Sequence, residues 1–374
     1  MRHLACLAMS TPCLVKGLVR GFVAFGWGLA GCVWAAPFAD PLDHPAVMRS
    51  DISNRPFMAV TQAGTSLVVV GSRGMIALSK DQGQSWQQSR VPVQSDLLAV
   101  HFPTPARGWA VGHDGVILHS PDGGNTWTKQ LDGRLAAVAF KQYYAQMAQS
   151  GDPAVQERAQ KALATLEQNF KVGPALPYLD VWFADAQTGY VVGSFGMLAT
   201  TRDAGKSWQP ALDRIDNPDQ LNLNAVRGIH GQILIAAERG KVFRYEATQD
   251  RYVPVSSDYT GSFFGFVGDP QAVLAFGLRG VVYRSADQGR SWARVSVPGG
   301  ASIAGGAAHA DNTGLVLANA AGQLIVSNPS GTEFRLVPSA QPMRFTGIAS
   351  LEKQAVLTTG MAGIRIQRMP SALR

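Results

Sequence analysis

Cysteine is nearly missing from this chain: there are three in 374 residues, Cys6, Cys13 and Cys32, all near the N-terminus. Beyond Cys32 neither a disulfide framework nor thiol catalysis is open to it. Charge is sparse as well, at 16% of residues, and no basic run is interleaved with aromatics, which excludes a nucleic-acid reading. The apolar stretch from Gly21 to Val33 is short of the about 20 residues that a membrane span requires.

That stretch, preceded by Arg2, Lys16 and Arg20 and followed by the small residues of Val33-Trp34-Ala35-Ala36, has the layout of a signal peptide over residues 1–36. Export to the periplasm with cleavage near Ala36 is the expectation. It removes three basic residues and lowers the formal net charge from +7 to +4. Leu29-Ala30-Gly31-Cys32 also has the form of a lipoprotein box, so anchoring through Cys32 stays open as the alternative.

Glycine, by contrast, is abundant, and much of it is in register. Ser/Thr-x-Asp-x-Gly-x-Ser/Thr-Trp occurs four times, at Ser79–Trp86, Ser120–Trp127, Thr201–Trp208 and Ser285–Trp292. Each copy follows a Gly-x-x-Gly pair: Gly71/Gly74, Gly112/Gly115, Gly193/Gly196 and Gly277/Gly280. Weaker versions end at Gly240, Gly322 and Gly363. The spacing is roughly 40 residues, the period of four-stranded propeller blades. Seven units predict an all-β, seven-bladed β-propeller over residues 37–374. Closure is expected from Pro45–Val60 lending a strand to the blade near Gly360, because an open edge invites association.

The Asp phrase reads as scaffold. Asp81, Asp122, Asp203 and Asp287 are expected to accept backbone N–H bonds inside a turn, and Trp86, Trp127, Trp208 and Trp292 to pack as equivalents on neighbouring outer strands. Catalytic or calcium-binding roles for these aspartates are the weaker reading. No metal or cofactor is implied.

Between the second and third units the composition turns helical. Residues 134–173 predict a helical hairpin, with Asp152-Pro153 as cap and first position of the second helix. Ala136, Phe140, Tyr143, Tyr144 and Met147 stripe the first helix; Ala159, Ala162, Leu166 and Phe170 lie on one face of the second. Packing on its own blade and serving as a partner-binding or oligomerising arm are the two readings.

Strand order places the Gly-x-x-Gly turns and this hairpin on one face. The residue before the second glycine is Arg73, Arg239 or Arg279 in three units; His113 and Asp114 fill the turn in a fourth and Phe195 in a fifth. Three guanidiniums around one channel mouth suit an anionic partner, since Arg forms forked bonds to carboxylates. With Tyr143 and Tyr144 beside them, these residues form the candidate partner site.

The run from Gly108 to Trp127, Gly-Trp-Ala-Val-Gly-x-x-Gly-x-Ile-Leu-x-Ser-x-Asp-Gly-Gly-x-Thr-Trp, resembles the photosystem II stability/assembly factor family. The resemblance implies a seven-bladed propeller with an arginine patch, carried here by Arg73, Arg239 and Arg279. It further implies a non-enzymatic factor that holds a membrane-protein precursor. The hairpin and signal peptide look like relatives from non-photosynthetic proteobacteria. An exported accessory factor for a membrane protein or envelope-transport complex is therefore expected. The alternatives are a glycan-binding protein or an Asp-box glycosidase. The latter needs paired carboxylates or a Tyr nucleophile with an arginine triad, and the Phe-Arg-Ile-Pro phrase of sialidases is absent.

Overall fold

A computed structural model describes residues 39–268, 272–309, 314–352 and 355–369; the signal-peptide segment and Cys32 lie outside the described residues. Seven antiparallel sheets follow one another along the chain, six of four strands and one of three. Blade two is representative: Leu97–His101, Gly108–Gly112, Ile117–Ser120 and Thr128–Leu131, ordered from axis to rim. The inner strands of all seven blades line one axial channel of about 200 Å³, from Met58–Val60 of blade one to Thr346–Ile348 of blade seven. That shared lining shows a closed ring.

Each blade repeats the same irregularity. The inner strand shifts register near its start, opposite the first position of the Gly-x-x-Gly turn, as at Leu97/Ala99 facing Gly112. A Cβ on Gly112 would sit 1.9 Å from the Asp96 carbonyl oxygen, so the close approach requires its glycine. The core lies between blades. Trp109 of blade two, fully buried, stacks on Phe183 of blade three with ring centroids 3.6 Å apart. Its indole N–H reaches Gln130, whose amide bonds the Ala204 carbonyl of blade three at 2.8 Å.

The Asp turns bind themselves. In blade one Ser79 Oγ donates to Asp81 at 2.8 Å and accepts the Gly83 N–H, while the Ser85 amide and hydroxyl both donate to Asp81. Blades two, three and five repeat this at Asp122, Asp203 and Asp287. The Ser85 bonds hold the Asp81 carboxyl down at about 2. At Asp287, partial burial is outweighed by the Ser291 bonds, with the same result of about 2. Blade six keeps the turn without the phrase: Asn328, one position earlier, accepts from the Thr332 amide at 3.0 Å.

The tryptophans differ from the expectation of four equivalents. Trp127 and Trp208 are buried, edge-on to Phe102 and Phe183 of their own blades' inner strands, whereas Trp86 and Trp292 are only half-buried. Each fills the groove toward the preceding blade and not a neighbouring outer strand. The two buried indoles meet their rings edge-on, whereas Trp292 meets Phe266 of its inner strand at a shallow tilt of 32°.

Closure also departs from the expectation. Pro45–Val60 lends no strand to blade seven. From Asp43, which pairs with Arg134, the chain runs across blade one, where Gln88 Nε2 donates to the Val47 carbonyl at 3.0 Å. Only the single turn Ile52–Asn54 reaches blade seven, and Phe57–Ala63 becomes the inner strand of blade one. Side-by-side packing joins the ends instead. Phe57, Leu67 and Val69 meet Leu351, Leu357 and Ile364, and Thr346 Oγ1 donates to the Phe57 carbonyl at 2.6 Å.

Two helices interrupt the ring between blades two and three, α1 (Gly133–Met147) and α2 (Pro153–Asn169). Asp132 caps α1 through the Leu135 amide at 3.0 Å, and Asp152 caps α2 through the Ala154 amide at 2.8 Å. Ala136, Phe140 and Tyr144 of α1 and Ala159, Ala162 and Leu166 of α2 join the same core cluster as blades two and three. The hairpin packs on its own blades.

Candidate functional site

The second and third strands of each blade are joined on the face that also carries the links between blades. The turn residue preceding the second glycine is left-handed in five blades: φ is 55° at Arg73, 58° at Asp114, 54° at Phe195, 54° at Arg239 and 59° at Arg279. A non-glycine residue pays for that conformation, so the turns need external support. They have it. The Arg73 amide donates to Asp96 at 2.7 Å, Phe195 to Asn222 at 2.8 Å and Arg279 to Ser302 at 3.1 Å. Each acceptor immediately precedes the next blade's inner strand, so the turn is tied to its neighbour.

Arg73, Arg239, Arg279, His113 and Phe195 are exposed. Arg239 meets Asp219 at 3.2 Å across solvent; Arg73 and Arg279 have no carboxylate in ion-pair range among the described residues. Asp114 faces inward to the Ser95 hydroxyl at 2.7 Å. Ring order sets the spacing. Arg239 and Arg279 stand on adjacent blades four and five with Phe195 beside them on blade three, while Arg73 on blade one is three blades from either arginine.

Tyr144 requires correction as a partner-contacting residue. It is fully buried; its hydroxyl donates to Asp213 at 3.0 Å and accepts the Leu212 N–H at 2.8 Å. Burial, and then the Asp213 charge, push its phenol well above the ordinary range. It anchors α1 to the link between blades three and four. Tyr143 is half-buried and stays at the surface of a cleft.

That cleft is one of two, about 300 Å³ each, that share Arg158, Asp213 and Arg251 and run along the hairpin. The first is walled by Arg158 and Lys161 of α2, Phe195, Leu212, Ile215 and Arg251. Arg251 Nη1 holds the Asp213 carbonyl at 3.1 Å, and the end of α2 meets the blade-three turn where Asn169 donates to the Phe195 carbonyl at 3.3 Å. Arg158 and Lys161, three apart on the polar side of α2, were the available sequence signal for this wall.

The axial channel has different chemistry. Asp180, buried, accepts the Val226 N–H at 2.9 Å and the Arg227 guanidinium. Burial raises its carboxyl, and Arg227 opposes the rise. Nearby His101 accepts the Phe183 N–H at 3.1 Å, and burial, reinforced by Arg227, lowers its imidazole to about 3. Asp180 is the single acid in the channel lining. Among the described residues no three of His, Cys, Asp and Glu gather as a metal site, and no helix is long and apolar enough to cross a membrane.

The model of the photosynthesis system II assembly factor YCF48 matches residues 78–148, which span the first two Asp phrases and α1. The photosystem II assembly protein Ycf48 of Synechococcus sp. (strain JA-2-3B'a(2-13)) is 29% identical over 173 residues, covering 42% of this chain and 49% of the relative. The photosystem II assembly lipoprotein Ycf48 of Synechococcus sp. (strain CC9902) is 28% identical over 124 residues, 32% of this chain and 37% of that protein. A solved structure described as YCF48 bound to D1 peptide superposes with a TM-score of 0.59 at 16% identity, over 88% of this chain and 100% of the other. Over these segments, and in fold, the chain is similar to photosystem II assembly factors. It spans half or less of the length of the two curated relatives described. The structural likeness is one of fold. In this propeller the matched segment supplies the Asp turns of blades one and two, while Phe195, Arg239, Arg279 and α2 lie beyond it.

Proposed function

We propose that this protein is a non-enzymatic, exported accessory or assembly factor that holds a membrane-protein or envelope-transport partner on its Gly-x-x-Gly face. The observation that carries the reading is the row of left-handed turns presenting Phe195, Arg239 and Arg279 on consecutive blades, each tied toward the next blade, the Arg239 turn through the Gly240 N–H to the Gly261 carbonyl at 2.7 Å. Tied turns present their side chains with little ordering entropy left to lose on binding. Guanidiniums beside an exposed phenyl ring suit a segment with carboxylate and apolar groups. The cleft wall of Arg158 and Lys161 extends the same basic character onto α2. Two relatives are named photosystem II assembly proteins, and one solved YCF48 is bound to a D1 peptide; a membrane-protein client for this chain follows by analogy. A glycosidase reading is weakened by the channel, where the one acid is tied to Arg227 and no second carboxylate faces it. Location in the periplasm, soluble or lipid-anchored, rests on the N-terminal sequence pattern and on the lipoprotein name of one relative.

The test is charge reversal. Arg73, Arg239 and Arg279 changed together to Glu should leave the melting temperature close to wild type, since exposed turn side chains contribute little to stability. The triple variant should lose co-purification with its membrane partner from detergent-solubilised envelopes, with the partner identified by mass spectrometry. Arg239→Glu/Arg279→Glu should account for most of the loss and Arg73→Glu alone for little, because Arg73 stands across the ring. Full capture by the folded triple variant rejects the arginine face.

A further inference from the structure

Among the described residues, blade seven has three strands where every other blade has four. Its third strand, Gly363–Arg368, therefore presents a six-residue edge toward the rim. No backbone hydrogen bond links that edge to another segment among the described residues. The turn Ile52–Asn54 covers its first residue, since a Cβ on Gly363 would lie 2.1 Å from the Ser53 carbonyl oxygen. From Ile364 to Arg368 no described strand pairs with it, and Arg365, Ile366 and Arg368 are at least partly exposed while Ile364 and Gln367 are buried.

The other outer edges are blunted, as a sheet edge in a soluble protein must be. Those of blades one and three are the two-residue strands Gln87–Gln88 and Gln209–Pro210, and that of blade five is Ala293–Val295. Blade four's longer Arg251–Ser256 contains Pro254 and is bridged in parallel by Ile215. Blade six ends its outer strand at Pro338, and blade two's Thr128–Leu131 runs directly into the cap of α1. The blade-seven edge is long, proline-free and unbridged.

It also borders a cavity. Ile366 and Arg368 point to one side, where a cleft of about 540 Å³ opens between blade seven and the Asp turn of blade one. Leu351, Ala355 and Ile366 supply the apolar lining, Gln82, Gln84 and Arg368 polar groups, and Glu352 the single acid. Ile366 is 45% exposed, a large apolar side chain beside unpaired backbone. Arg365 bonds the Ile364 and Ala362 carbonyls, and neither it nor Arg368 has a carboxylate in ion-pair range among the described residues.

We propose that this edge takes up an extended acidic–apolar peptide segment of a partner protein, which adds the missing fourth strand of blade seven. Main-chain bonds to the edge would give the affinity, and alternate side chains the selectivity. On the cleft side, an apolar residue would cover Ile366 and an acidic one would stand against Arg368. A second copy of this chain is the poorer occupant, because its own edge strand carries two arginines and no acidic residue to meet Arg365 or Arg368. The site lies at the rim, apart from the turns of the proposed partner face, so the two proposals stand or fall separately.

Hydrogen exchange on the full chain tests it. In the free protein, edge-facing amides of Gly363–Arg368 should exchange faster than those of the third strands Lys241–Glu246 and Gln323–Ser327. Equal protection would mean the edge is already occupied, and would overturn the proposal. The probe is a blocked heptapeptide, Thr-Glu-Thr-Val-Thr-Glu-Thr, which carries Val and Glu two positions apart on one face and at millimolar concentration should slow those amides. Its backbone N-methylated form should not, and neither should the Lys–Val analogue. Arg368→Glu should weaken the Glu–Val peptide by about tenfold. No protection by the Glu–Val peptide, equal protection by the N-methylated form, indifference to Arg368→Glu, or a dimeric mass for the free protein would each overturn it.

Discussion

Tyr144→Phe is a single-atom test of whether the helical hairpin is part of the propeller's folded unit or an appended arm. The lost hydroxyl donates to the buried Asp213 carboxylate at 3.0 Å and accepts the Leu212 N–H at 2.8 Å and, more weakly, the Asp213 N–H at 3.4 Å. Hydrogen bonds to charged groups contribute about 1.5–3 kcal/mol, and leaving a buried group unpaired costs about 1–3 kcal/mol. Because the ring itself stays in place, no cavity is added, and the expected loss is about 2–3 kcal/mol. An unfolding entropy of about 2.1 cal/mol/K per residue makes this a drop of about 3–4 °C in melting temperature for a propeller of this size. Calorimetry gives the shift, and hydrogen exchange gives its location. Faster exchange should appear in α1 and at Leu212, with blades five and six unchanged, since stability is lost where the tie is cut. Tyr143→Phe, at a half-buried position, is the control and should cost under about 1 kcal/mol. A Tyr144→Phe protein within about 0.5 kcal/mol of wild type, or one loosened evenly throughout, would refute the anchoring role.

Acid should destabilise the propeller through His101. Its folded-state value of about 3 lies below the ordinary 6.5, so its contribution is present above pH 6.5 and lost as pH falls from 6.5 toward 3. At pH 5 the loss is about 2 kcal/mol, and His101→Gln should flatten that part of a urea-midpoint profile; His119, lowered by burial, shares the window and leaves a residual slope. An unchanged profile in His101→Gln would reject the assignment. Mass spectrometry of the native protein should find an N-terminus near Ala36 or Pro37, and a diacylglyceryl-modified Cys32 would replace soluble export with a membrane anchor.

What the sequence determined is what a short window encodes. The self-bonding Asp turns and the Asp152 cap of the second helix complete their bonds within a few residues, and the constant register of the Asp phrases and Gly-x-x-Gly pairs sufficed for seven blades and for an insertion after the second. Even the ring positions of Arg73, Arg239 and Arg279 were legible in the blade count. Tertiary structure decided the rest. Whether Tyr143 or Tyr144 faces outward depends on the link at Leu212–Arg214, which packs on the hairpin from 69 positions away at Tyr144–Asp213. That Trp127 is buried edge-on to Phe102 while Trp86 is half-buried is a difference the shared phrase does not encode. The passage of Pro45–Asn54 over blade one, and the outer edge it leaves without a partner among the described residues of blade seven, follow from contacts that join segments far apart in the chain. A local repeat specifies each blade. The contacts that distinguish one blade from another are made across the ring, between segments that carry no shared period.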